Sequence, residues 1–136
     1  MLKVDISMPL TALNLSPEAL KKYRPLEAIQ RRKARTSTEL AKRRRLAMAT
    51  ARKAARLLRE KFGAKEVILF GSLARRGGFT LFSDIDLAVR GIAPDRFFEA
   101  VGLVTGLSAE FKIDLVEIET SSPGMYRSIQ KDGKPL

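Results

Sequence analysis

The chain has 136 residues, the length of a single compact domain, with 26 Lys/Arg against 15 Asp/Glu, a net charge of +11, and neither cysteine nor histidine. Those absences exclude disulfides, thiolate zinc sites, histidine general bases and Ser-His-Asp triads, so any chemistry must use carboxylates, hydroxyls and cations. No apolar run approaches the roughly 18 residues of a membrane span, and Asp5 interrupts what would be a signal-peptide core, which predicts a cytoplasmic protein.

The charge is uneven. Residues 1–70 hold 18 Lys/Arg against 6 Asp/Glu, a balance of +12, whereas residues 71–136 hold 8 against 9, a balance of −1. Concentrated cations raise nucleic acid as a partner, because phosphate neutralisation is the usual reason for them. A plain solvated helix face explains them equally well.

In chain order, Ser16-Pro17-Glu18 is a helix start, with serine as cap and proline at the first helical position, and predicts a short helix over residues 17–23. Pro25 interrupts it. From Leu26 to Phe62 there is neither proline nor glycine, and Ala, Arg, Lys, Leu and Glu dominate, so one long helix ending at Gly63 is expected. Leu40, Ala47, Ala51, Ala54, Leu58 and Phe62 recur at steps that mark one face for burial. Residues 27–39 have no such stripe, and Arg31, Arg32, Lys33 and Arg35 there predict a segment that projects from the core.

After Gly63 the pattern changes to strands. Glu66 to Phe70 (EVILF) reads as a buried strand, Ser83 to Arg90 (SDIDLAVR) and Lys112 to Ile118 (KIDLVEI) as alternating ones. Between them, Leu73 to Arg76 can form a helical turn that Gly77-Gly78 breaks, and Pro94 to Leu107 reads as a helix. Ser122-Pro123 starts a last short helix over Met125 to Gln130, followed by a tail. The expected organisation is an N-terminal helical extension over residues 1–62 and an α+β core over residues 63–136.

The carboxylates carry the chemistry. Side chains at i and i+2 of a strand share a face, so Asp84 and Asp86 point the same way, and Asp114 joins them if its strand is a neighbour. Two like charges about 4 Å apart repel by roughly 4 kcal/mol at an effective dielectric near 20, so something must neutralise them. Magnesium fits, since it takes one or two protein carboxylates plus substrate phosphates. An isolated Asp-x-Asp is more often a strand edge with ordinary salt bridges. Here, however, Gly71-Ser72 lies between a buried strand and a helical turn, where glycine permits close backbone approach and the serine hydroxyl and free amides favour a phosphate. No Walker loop or G-x-G-x-x-G pattern is present.

These residues resemble the nucleotidyltransferases of the DNA polymerase beta superfamily, whose signature is Gly-Ser, then Asp-x-Asp, then a third Asp on a later strand. The wording GSLAR, SDIDLAV, PDRFFEAV, FKIDLV and SPGMYRSIQKDGKPL is similar to the minimal nucleotidyltransferases that act as antitoxins beside HEPN-type ribonuclease toxins. The resemblance runs from about Val67 to the C-terminus. It implies a small mixed or antiparallel sheet of three to four strands with flanking helices, preceded here by the long basic helix. It further implies that Gly71, Ser72 and Arg75 bind the triphosphate of ATP, and that Asp84, Asp86 and Asp114 coordinate Mg2+. Asp114 would either help place metal or deprotonate the acceptor. The implied reaction is AMPylation of a tyrosine on the partner toxin. Eleven residues separate Ser72 from Asp84, one more than is usual in the family, which alters the connecting loop.

A different class of function stays open: a non-catalytic module that binds the toxin, or nucleic acid, through its basic helix. Retention of all three aspartates favours the enzyme. Residues 26–61 contain no aromatic residue for base stacking, so nucleic acid is the less favoured partner. Transfer to a small acceptor of the aminoglycoside kind is a weaker enzymatic alternative, because little chain remains to enclose one.

Overall fold

The computed structural model of the chain describes residues 25–136; the short helix expected over residues 17–23 lies outside them. The long helix, α1, runs Pro25–Phe62 over 38 residues. Pro25 starts it, where a missing amide hydrogen costs nothing. Gly63 stops it with φ +69°, and the Gly63 and Ala64 amides donate to Arg59 O at 3.1 Å and Leu58 O at 3.2 Å. The first bond, from the left-handed glycine back four residues, is the αL closure, and the two together occupy carbonyls that the helix end leaves open.

The described residues fall into two units, divided between Ala41 and Lys42. Within the first, residues 26–41 have no buried side chain, as the lack of an apolar stripe predicts. Thr36 and Thr38 turn their hydroxyls back onto Arg32 O and Ala34 O, each at 3.0 Å, so that these β-branched residues remain compatible with the helix.

The second unit holds the rest of α1 and a four-stranded sheet. Its further elements are β1 (Glu66–Phe70), β2 (Ile85–Arg90), a 3₁₀ turn (Pro94–Arg96), α2 (Phe97–Thr105), β3 (Ile113–Glu117), α3 (Pro123–Asp132) and β4 (Lys134–Pro135). The strand order is β3-β2-β1-β4, with β1 antiparallel to β2 and β4 and with β2 parallel to β3. A parallel pair needs a crossover, and α2 supplies it.

Directly paired residues share a face, so Ile68, Phe70, Ala88 and Val116 lie together and form a core with Ile118, Met125 and Ile129. Val67, Leu69, Leu87 and Val89 point the other way and are almost fully buried, as are Ala47, Ala51, Ala54, Ala55 and Leu58 of α1. The small residues of that stripe let a helix approach a sheet of bulky aliphatics. Burying each of the large side chains contributes roughly 1.5–3 kcal/mol.

The expected α+β class, mixed sheet and long helix are therefore observed, with three local differences. β2 begins at Ile85 rather than Ser83, because Ser83 is held in a turn with Thr80. The helix expected from Pro94 opens as a 3₁₀ turn and becomes α-helical only at Phe97. The tail contributes an edge strand, in which Lys134 and Pro135 pair with Leu69 and Ile68. No described helix is long and apolar enough to cross a membrane.

Candidate active site

The topology brings the end of β1 and the beginnings of β2 and β3 to one edge of the sheet. Phe70 pairs with Asp86, and Asp86 with Asp114, so the three form a row across adjacent strands on one face. Immediately after Phe70 the chain turns at Gly71, with φ +74°. Its carbonyl accepts from the Ala74 and Arg75 amides at 3.1 and 3.2 Å, which closes a single helical turn. A Cβ built on Gly71 would overlap Asp86 Oδ2 and lie 3.0 Å from its Cγ. Glycine is thus required twice over, for the left-handed backbone and for the carboxylate that occupies the side-chain space.

Asp86 is half-buried, and its pKa is raised from the ordinary carboxylate value of 3.8, first by burial and then by the charges of Asp114 and Asp84; Arg75 and Lys112 oppose the shift without cancelling it. Two ion pairs frame the row. Lys112 Nζ stands 3.6 Å from Asp114 Oδ1, and Arg75 Nη1 donates to Asp132 Oδ2 at 3.3 Å, the aspartate being largely buried. A cavity of about 610 Å³ opens here, within the usual range for small-molecule sites, lined by Gly71, Arg75, Asp86, Lys112, Asp114 and Asp132 on its polar side. Phe70, Leu115, Val116, Val101 and Met125 form its apolar side.

Four of the six expected site residues, Gly71, Arg75, Asp86 and Asp114, line this cavity, whereas Ser72 and Asp84 do not. Asp84 lies just ahead of β2, close enough for its charge to act on Asp86. Sequence reasoning missed Lys112 and Asp132. Lys112 is next but one to Asp114 in KIDLV, so the strand register could have indicated it. Asp132 is 57 residues from Arg75, and no local pattern links them.

The donor set suits a hard divalent cation. Asp86 and Asp114 stand side by side on neighbouring strands and Asp84 adds a third charge, so burial and like charge leave Asp86 with a raised pKa that the nearby cations only partly offset. Among the described residues, no three acidic groups are already drawn together around one point. An open site of two carboxylates, completed by substrate phosphates, is the arrangement magnesium favours.

Among the curated proteins no match to this chain was found. Solved structures do match. A toxin–antitoxin with AMP-PNP is similar at 25% identity and TM-score 0.53, over 62% of this chain and 70% of the other. A mutant of the toxin–antitoxin MntA–HpeT is similar at 26% identity and TM-score 0.52, over 62% and 69%. The tri-AMPylated Shewanella oneidensis HEPN toxin in complex with MNT antitoxin shares the fold at 22% identity and TM-score 0.50, over 65% and 70%. The family model for polymerase beta, nucleotidyltransferase, matches residues 52–136, a span that takes in every described strand, the glycine turn and all three aspartates. The chain accordingly belongs to the polymerase beta nucleotidyltransferase family.

Proposed function

We propose that this chain transfers AMP from ATP to a hydroxyl of a HEPN-type toxin and so acts as its antitoxin. The observation that carries the reading is the row of Phe70, Asp86 and Asp114, with Gly71 pressed against Asp86 at the cavity. The likeness to toxin–antitoxin structures, one holding AMP-PNP, supports the choice of nucleotide and partner.

In this mechanism the triphosphate lies in the cavity beside the turn at Gly71, and Ser72, next in the chain though outside the cavity lining, is the residue whose hydroxyl would donate to it. Arg75, held in place by Asp132, supplies a cation to the phosphates. Asp84, Asp86 and Asp114 would hold Mg2+, which when bound lowers the acceptor's pKa and offsets charge on the attacking and leaving oxygens. The acceptor oxygen forms a bond to the α-phosphorus while the bond from that phosphorus to the bridging oxygen breaks, and pyrophosphate departs with the bonding pair. Asp114, which Lys112 Nζ approaches to 3.6 Å, takes the hydroxyl proton. A tyrosine suits this role because its phenol has an ordinary pKa near 10, which general-base assistance brings within reach of neutral pH.

Incubation with α-labelled ATP, magnesium and the HEPN-type protein encoded beside the gene tests the reading. Label appears on that protein with the native chain and not with an Asp84→Ala, Asp86→Ala double variant. Equal labelling by both refutes it.

A further inference from the structure

The loop from Gly77 to Asp84 carries two phenylalanines with opposite fates. Phe79 is buried, with the Arg44 guanidinium 6.0 Å from its ring centroid, whereas Phe82 is 91% exposed. The exposure of Phe82 is built in. The Thr80 amide donates to Ser83 Oγ at 2.8 Å, the Ser83 amide to Thr80 O at 3.2 Å and the Phe82 amide to Thr80 Oγ1 at 3.2 Å, and the two hydroxyls are 3.1 Å apart. Four interactions inside four residues close a turn whose tip is Leu81-Phe82, Leu81 being 37% exposed. A loop that anchors one ring and displays the other is not short of interior space.

Phe82 also stands two residues before Asp84, within about 7 Å of chain. Asp84 in turn acts on Asp86 through its charge, which puts the end of this loop beside the carboxylates that an acceptor protein has to reach. The cavity at the aspartates, about 610 Å³, is of a size for the nucleotide. Arg76, on the turn that opens the same loop, is exposed, so the loop that carries the apolar tip also carries a cation.

We infer that Phe82 is the docking knob for the acceptor protein: it enters an apolar pocket, edged by carboxylates, on the molecule that supplies the hydroxyl. This rests on the transfer reading above for the identity of the occupant. A rigid aromatic on a hydrogen-bonded turn suits the task, since it contributes large contact area while losing little conformational freedom on binding.

The test is calorimetric titration of the full chain with the HEPN-type protein in the absence of nucleotide, so that binding is read without catalysis. Phe82→Ser weakens binding by about tenfold or more, while Phe82→Leu, which keeps an apolar tip, stays within about threefold of the native chain. Both variants keep the native melting temperature and the native affinity for ATP, because the ring touches neither core nor cavity. Binding by Phe82→Ser within twofold of the native chain, or no binding by the native chain, overturns the inference. Phe82-dependent binding without AMP transfer supports the docking role and overturns only the transfer reading.

Discussion

Replacing Gly71 with alanine separates the two demands placed on that position. The backbone there has φ +74°, a conformation that costs an L-residue about 1–2 kcal/mol. Gly63, at the end of α1, has φ +69° with nothing within 4 Å of a built Cβ, so Gly63→Ala measures that backbone cost alone. At Gly71 the added methyl meets Asp86 as well, at 3.0 Å from Cγ and 3.3 Å from Cβ. The carboxylate must leave its rotamer, at a further cost of about 0.5–1.5 kcal/mol. Urea denaturation followed by circular dichroism should show Gly71→Ala losing about 1.5–3.5 kcal/mol and Gly63→Ala about 1–2, with unchanged slopes. Transfer activity should divide the pair more sharply. Gly63→Ala retains it, and Gly71→Ala loses at least about tenfold, the equivalent of 1.4 kcal/mol in the transition state. Equal stability losses with equal activity would refute the claim that Gly71 is kept free of a side chain for the sake of Asp86.

Two further outcomes follow from the electrostatics. Because the folded pKa of Asp86 is raised, the native state binds more protons than the unfolded chain between the two pKa values, and stability falls as pH rises through that window. In metal-free buffer Asp86→Asn should therefore melt above the native chain at pH 7 and converge with it near pH 3, while transferring no label; a native chain that gains on the variant as pH rises refutes the assignment. Asp132→Asn should raise KM for ATP with little change in kcat, since Asp132 acts by holding Arg75, and Arg75→Ala should raise it at least as much. Because the Arg75 side chain is half exposed, the pair itself adds little stability, so a loss of folding in either variant contradicts a positioning role.

Much of this site was legible in the sequence because it depends on local periodicity. The alternation in SDIDLAV and KIDLV sets which side chains share a face, and a glycine directly after an apolar strand marks the turn. What the sequence left unread depends on distance or on hydroxyl geometry. The two-residue β4 contains a proline and has no period to detect, and it exists because Leu69 and Ile68 offer a free edge. The late start of β2 follows from the Thr80–Ser83 hydrogen bonds, which depend on hydroxyl geometry and leave no mark in the order of residue types. Asp132 joins the site only through the tertiary fold that places the end of α3 beside Arg75.

The central claim is that Asp86 and Asp114 jointly bind a metal–nucleotide complex against Gly71. Titration with α,β-methylene ATP, which cannot release AMP, in the presence and absence of magnesium tests it most directly. The account predicts magnesium-dependent binding that is lost in both Asp86→Asn and Asp114→Asn while each variant remains folded. Unchanged affinity in either variant, or tight binding that ignores magnesium, contradicts it.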